Sequence, residues 1–547
     1  MHLKRQKLHI RSLLIVASLT LSFFLFAASS RIYQSGKSLY EQIRVFSAVM
    51  KQIDQEYVDE TDPEILLEHA IKGMVSQLDP HTTFYTSEQF SKWNQSYEGY
   101  SGIGVTFDVI NDKITIMSVI EGGPSAKAGL QTGDRIVEIE GVSAIGLKEE
   151  DVPLRLMGPK GTLVNIGVER RLSKHIKQFT IMRDEVHVES IPYAFMMKPG
   201  VGYIRIVRFS ATTSEELEAA LKQLEQDGLR QLVLDLRGNG GGYLEAAVDV
   251  VDRFLPGGQK IVYTRGRIET AFREFYSTHK YTHPLMPVIV LIDRATASAS
   301  EIVAGALQDW DRALIVGETS FGKGLVQSQY QFSDGSALLM TTAKYYTPSG
   351  RLIQRPYQNK SSDDYFSEIY DDAIHGKNNQ LKKEGPVFHT NLLRREVRGG
   401  GGITPDIFFN AESDTFSEKI RDLVLSPKQL FFTFVEQYLR SSNQVPRNFN
   451  QFLRDYLPDN ACMKLFIQYI QQQGYLFSKQ DYLQYQQDIR YFLKQSIAES
   501  MWGETERYKV QLLRDKQLME AVAYFEEAQS LLAQGYGYTV GSNTRRR

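Results

Sequence analysis

A serine in the run Ala295-Thr296-Ala297-Ser298-Ala299-Ser300-Glu301-Ile302 and a lysine in Ser320-Phe321-Gly322-Lys323-Gly324-Leu325-Val326-Gln327 are residue types that together make a nucleophile and a base. A free serine hydroxyl is a poor nucleophile at neutral pH and needs a neighbour to take its proton, which an unprotonated lysine amine can do. At a reference pKa of about 10.4, only roughly one lysine in a few thousand is uncharged at pH 7, so the site must lower that pKa by excluding water. Lys323 lies between two glycines, which let other backbone approach closely, and is followed by Leu325 and Val326, which can wall the amine from solvent.

The elements around these residues suit that chemistry. Val288-Ile289-Val290-Leu291-Ile292 is a continuous apolar run that reads as a buried parallel strand, and Ile302-Val303-Ala304-Gly305-Ala306-Leu307 reads as a helix. Ser298 therefore falls at a strand-to-helix junction, where the free amides at the helix start point at negative charge developing nearby. A bland reading accounts for the same serine: Ser298-Ala299-Ser300-Glu301 is also a capping box, in which serine and glutamate satisfy each other's backbone amides. The two readings are compatible, since a catalytic serine can begin a helix. Between Val201 and Val316, apolar strands alternate with helical segments such as Ser214 to Gln226, which predicts an α/β core with crossover connections and puts Ser298 at the carboxyl end of a strand.

These two segments closely resemble the carboxy-terminal processing (tail-specific) serine peptidases. Further matches follow in the family's order: Leu234-Asp235-Leu236-Arg237-Gly238-Asn239-Gly240-Gly241-Gly242 resembles its strand and glycine turn, Lys344-Tyr345-Tyr346-Thr347-Pro348-Ser349-Gly350-Arg351 its late signature, and Gly402-Ile403-Thr404-Pro405-Asp406 its closing segment. The resemblance spans roughly residues 40 to 410. It implies Ser298 as nucleophile, Lys323 as general base, Gln327 as the group that orients the lysine and Glu301 as a supporting residue. It also implies an oxyanion hole made of backbone amides, here Gly241 (or Gly240) and Ala299. Such donors hold the negative oxygen of the tetrahedral intermediate, and losing one typically costs about 3 kcal/mol. A Ser-His-Asp triad is the competing arrangement. None of the chain's ten histidines lies within these segments, and the nearest are His279 and His283, although triads are assembled in space.

Tyr100-Ser101-Gly102-Ile103-Gly104-Val105-Thr106-Phe107, a hairpin-like Asn111-Asp112-Lys113 turn, the stretch Val119 to Leu130 and Gly133-Asp134-Arg135-Ile136-Val137 together resemble a PDZ domain over about 98 to 172. Such domains add a peptide as an extra strand and capture its carboxylate on the amides of a glycine loop, here Ser101, Gly102, Ile103 and Gly104. An enzyme that trims chain ends gains a reader of ends. One departure stands out. Many relatives carry arginine where this chain has Met157, and methionine cannot make an arginine's charge-assisted hydrogen bonds.

Lys4, Arg5, Lys7 and Arg11 precede an apolar stretch from Leu13 to Ala28, the pattern of an export signal or a short signal anchor. The stretch is shorter than the about 20 residues of a full span, and Ala27-Ala28-Ser29-Ser30 permits cleavage, so tethered and released forms are both open. Either places the catalytic part outside the cytoplasmic membrane, in the periplasm or beyond. With 63 basic and 65 acidic residues there is no bulk charge to attract nucleic acid. The single cysteine, Cys462, rules out an intramolecular disulfide framework and a cysteine-rich metal site.

Apolar residues recur at helical spacing from Ser38 to Tyr57 (Ile43, Phe46, Val49, Met50, Ile53), and Asp62-Pro63 begins a second helical stretch ending near Leu78. In the resembled family this region can mediate dimer contacts; packing on the protease core is the alternative. From about Ala411 the chain turns rich in Gln, Tyr and Phe, with helical spacings such as Leu430, Phe434, Tyr438 and Ile489, Phe492, Leu493. Without a basic stripe, those aromatics predict a packed helical core rather than a nucleic-acid surface.

The expectation is a multidomain α+β chain: signal peptide or anchor (1–30), N-terminal helical region (31–97), inserted PDZ domain (98–172), α/β Ser/Lys peptidase core of ClpP/crotonase-like type (173–410) and helical C-terminal domain (411–547). Its expected activity is that of an exported, membrane-associated serine endopeptidase. It would cut proteins near their free C-termini through an acyl-enzyme, with no metal or organic cofactor. The alternative from another class is a catalytically silent PDZ scaffold, against which the joint presence of Ser298, Lys323 and Gln327 argues, since binding alone requires none of them.

Overall fold

The computed structural model describes residues 39–120, 122–170, 175–186, 188–278, 283–374, 385–409, 416–441 and 445–537. They fall into two compact units, 1–79 and 80–547. In the first, a helix runs through 39–56, and a second, Pro63–Val75, starts where Asp62 accepts the amides of Glu64 and Ile65 with Pro63 at the first helical position. The expected apolar run from Leu13 to Ala28 lies outside the described residues. Among the described residues no helix is long and apolar enough to cross a membrane.

In the second unit the core is a six-stranded sheet in the order Tyr193–Lys198, Val201–Arg205, Gln231–Asp235, Val288–Ile292, Leu314–Gly317, Ile407–Phe408. Only the first pair is antiparallel. The central strands are buried on both faces, which is why Val288–Ile292 has no polar residue to alternate with. Val288, Val290 and Ile292 face the helices Thr213–Gln226, Leu244–Asp252 and Ala299–Asp309. Ile289 and Leu291 face Tyr508, Leu512, Leu518 and Phe525 from the end of the chain. The helical C-terminal part therefore serves two ends. Glu418–Val424 to Lys479–Trp502 enclose a core of their own around Phe431, Phe452, Phe466 and Leu493, whereas Glu504–Leu512, Lys516–Ala521 and Phe525–Tyr536 close the second face of the peptidase sheet.

A second, antiparallel sheet joins Thr83–Tyr85, Ala337–Tyr346, Lys260–Gly266 and Arg273–Tyr276, with Leu325–Gln331 also paired to Ala337–Tyr346. Lys323 sits just before that last strand, so the two sheets carry the two candidate catalytic residues. The inserted domain is a third sheet in the order Val105–Ile110, Lys113–Val119, Arg135–Ile139, Leu163–Glu169, Ile176–Met182. Its first hairpin turns through Asn111 and Asp112, both at positive φ (50° and 60°), as a two-residue turn between twisted strands requires. Val105–Ile110 is left as an edge strand, and Tyr100–Gly102 pairs with Asp184–Val186 where the chain enters and leaves the domain.

Candidate active site

Ser298 stands between strand Val288–Ile292 and helix Ala299–Asp309 at φ 55°, ψ −115°. A non-glycine residue there costs of order 1–3 kcal/mol and persists only where its surroundings hold it. Three holds are visible. Asp293 accepts the amides of Gly238, Ala295 and Thr296, fastening the start of the glycine turn to the loop before the serine. The Asn239 carbonyl accepts the Ala297 amide (2.9 Å) and the Ser300 hydroxyl (3.0 Å). Buried Tyr345 donates its hydroxyl to the Ser298 carbonyl at 3.0 Å.

Glu301 ties the serine to the lysine. It forms the capping box with Ser298, accepting that amide on Oε2 at 2.8 Å, and on the same oxygen accepts the Lys323 amide at 2.8 Å. Oε1 accepts the Gly322 amide (2.7 Å) and the Ser320 hydroxyl (2.6 Å). Ser320 in turn accepts the Ile403 amide (2.6 Å), which brings in the closing segment. Burial pushes the Glu301 carboxyl above its usual range, opposed by the Ser320 hydroxyl and the amides of Lys323, Gly322 and Ser298. One fully buried carboxylate thus sets the spacing of the two backbones.

The Lys323 amine donates to Gln327 Oε1 at 2.7 Å. The other end of that amide is committed: Gln327 Nε2 donates to the His81 carbonyl at 2.6 Å, so the oxygen must face the lysine. Gly322 (φ 88°) and Gly324 allow the lysine loop its place. A Cβ on Gly322 would lie 3.0 Å from the Gly402 nitrogen, and one on Gly324 2.9 Å from the Gln354 nitrogen. Lys323 and Ser298 are both half-buried, and Leu325, which lines the same cleft, is buried.

A cleft of about 770 Å³ is lined by Ser298, Lys323, Gln327, Ala299 and Gly240, with Phe321, Leu325 and Val326 among its apolar walls. Glu301 and Gly241 lie behind that lining. The Gly241 amide is spent on Asn239 Oδ1 at 2.8 Å, whereas those of Gly240 and Ala299 make no hydrogen bond among the described residues. Gly241 (φ 103°) admits no side chain, because a Cβ would stand 2.8 Å from the Ser298 Cβ. Ser101, Gly102, Ile103 and Gly104 lie in the inserted domain beside the edge strand, away from this lining. Met157 ends the short helix Val152–Leu156, and its Cγ comes 3.5 Å from where a Gly102 Cβ would be. His283 is held by Glu225 (2.6 Å) and Glu218 (3.1 Å) and does not line the cleft; His279 lies outside the described residues.

Sequence reasoning missed His81, which acts through its carbonyl and so carries no side-chain signature. Asn239 and Tyr345 lie inside the quoted motifs, but their anchoring roles need the tertiary contacts to be seen.

Residues 200–359 match peptidase family S41 and residues 101–181 match the PDZ domain. The chain is 37% identical over 332 residues to the carboxy-terminal-processing protease of Bartonella bacilliformis, covering 60% of this chain and 76% of that one. It is 33% identical over 369 residues to the carboxy-terminal processing protease CtpA of Bacillus subtilis, covering 66% and 78%. A solved photosystem II D1 C-terminal processing protease is similar at 26% identity and a TM-score of 0.33, covering 67% of this chain and 93% of that one. With cleft, glycine turn and inserted domain in place, and with such relatives covered over most of their length, the chain belongs to peptidase family S41 and is a serine-type peptidase carrying a PDZ domain.

Proposed function

We propose that this peptidase cuts protein substrates near their carboxy termini with a Ser298/Lys323 dyad through an acyl-enzyme. The observation that carries the reading is the lysine amine held on Gln327 Oε1 in the same cleft as a serine at positive φ, with Glu301 gripping both backbones. Neutral Lys323 takes the serine proton as Oγ attacks the scissile carbonyl, then gives it to the leaving amine; water repeats the sequence to release the acyl group. Catalytic hydrogen bonds of this kind commonly tighten once substrate fills the cleft. The unspent amides of Gly240 and Ala299 suit the oxyanion, and Gly241 holds the turn through Asn239.

The edge strand Val105–Ile110 beside Ser101 to Gly104 supports capture of a free C-terminus by the PDZ domain. The N-terminal basic flank and apolar stretch support export with the peptidase outside the cytoplasmic membrane, tethered or released. Ile43, Phe46 and Val49, exposed at helical spacing on the 39–56 helix, support a homodimer contact.

The test is cleavage of an unstructured polypeptide with an apolar C-terminal tail by the parent chain, Ser298→Ala and Lys323→Ala. Both variants should lose roughly 10³-fold or more in kcat. Equal cleavage by all three would remove the dyad, and tail binding without cleavage by the parent would favour the scaffold alternative.

A further inference from the structure

Behind the lysine loop lies a second cavity, of about 650 Å³ and within the about 300–1,000 Å³ typical of ligand pockets. Phe321 lines both it and the catalytic cleft. Four cationic side chains, Arg294, Arg355, Lys360 and Arg398, line it against one carboxylate, Glu368. Glu368 is already taken by Lys360 at 2.6 and 2.8 Å. Arg294 is underused. Its Nε donates to Glu318 at 2.9 Å, its Nη1 is buried with no acceptor, and its Nη2 has no acceptor among the described residues. Arg355 lies over the rings of Phe321 (4.9 Å) and Tyr365 (4.1 Å), with its Nε likewise unpaired. On the facing loop the amides of Gly399, Gly400 and Gly402 are used internally, whereas that of Gly401 has no partner among the described residues.

We infer that this cavity is a second end-reading site, which holds the free α-carboxylate of a polypeptide tail on Arg294 and the Gly401 amide. The inference rests on the reading that the enzyme cuts near C-termini, because the fragment such a cut releases carries that carboxylate. The Arg294 Nη2, left without an acceptor among the described residues, can give a carboxylate one charge-assisted hydrogen bond, and the Gly401 amide can give it a second. The volume far exceeds a lone inorganic anion, and the walls of Phe321, Pro356 and Pro386 beside bare glycine backbone suit a peptide. Because a Cβ on Gly322 or Gly402 would strike the opposite loop, occupancy of this cavity bears on the loop that carries Lys323.

Amide hydrogen exchange of the full chain carrying Ser298→Ala reads this site and the PDZ loop separately. A peptide of about ten residues with an apolar, free C-terminus should protect Ser320–Phe321 and Gly399–Thr404, and its C-terminal amide should not. Arg294→Gln should raise the peptide concentration needed there by about ten- to a hundredfold while leaving protection at Ser101–Gly104 unchanged. Equal protection by acid and amide, protection confined to the PDZ loop, or an unshifted response in a folded Arg294→Gln protein would overturn the inference. Inorganic phosphate protecting the same segment where the peptide does not would overturn it in favour of a small-anion site. If Arg294→Gln fails to fold, the acid-against-amide comparison still decides. Cleavage by the parent chain is scored apart, so failure of this site and failure of tail cleavage are distinguishable.

Discussion

Ser298, at φ 55°, keeps its carbonyl in the helical start, accepting the amides of Glu301 (2.9 Å) and Ile302 (3.1 Å), and the Tyr345 hydroxyl adds a further donor to it from the second sheet. The tyrosine itself is buried, and burial, with the Glu301 charge nearby, pushes its hydroxyl well above the usual tyrosine range, so it remains a donor at any working pH. Tyr345→Phe removes one neutral hydrogen bond, worth about 1 kcal/mol. If that bond fixes Ser298 for the proposed attack, kcat should fall about fivefold with KM unchanged, measured on a soluble peptide substrate. An unaltered kcat would show the strand and capping carboxylate suffice to hold the serine.

At the scale of elements, the junction between the long helix Lys479–Trp502 and the helix Glu504–Leu512 is where the C-terminal part changes partner. Burial, then repulsion from Glu504, raises the Glu499 carboxyl to about 7 against an ordinary 4.5, with Arg507 partly opposing. A carboxyl whose folded pKa lies above its unfolded one stabilises the fold most below the unfolded value, and that contribution is lost as pH rises through the folded value. Glu499→Gln should therefore become more stable relative to the parent between pH 5 and 8, by roughly 1–3 kcal/mol. Denaturant melts at a series of pH values measure it, and parallel curves for the two proteins would refute the shift.

Over the whole molecule, the last described helices are part of the peptidase. Arg237, next to the glycine turn, bonds both Asp235 and Asp515 at 2.6 Å, and Tyr508 bonds Tyr203 (2.8 Å) and Arg205 (2.6 Å) while stacking on Tyr193 at 3.6 Å. Ending the chain after Gly503 would uncover Val233, Ile289, Leu291 and Val316. Each large apolar side chain returned to water costs about 1.5–3 kcal/mol, against a typical total stability of about 5–15 kcal/mol. The truncated protein should be insoluble or molten, read by near-ultraviolet circular dichroism and sedimentation; a soluble, active product would show that the sheet stands without its second cover.

Much of this was legible in the chain itself. The run Val288–Ile292 read as a buried parallel strand, Asp62-Pro63 marked a helix start through capping chemistry, and Asn111-Asp112 marked a hairpin, because each depends on local conformation and short-range pattern. What covers the strand's second face was not legible, since Tyr508 and Phe525 show the same helical periodicity as residues that enclose a separate core. Nor was the Gln327 bond to the His81 carbonyl, or the choice of Gly240 over Gly241 as the unspent amide. Residue types and spacing determined that a serine and a lysine were available at a strand end and a glycine-flanked loop. Only the tertiary structure decided which backbone groups remain unpaired around them, because hydrogen-bond satisfaction is settled by partners distant in sequence and carries no periodicity of its own.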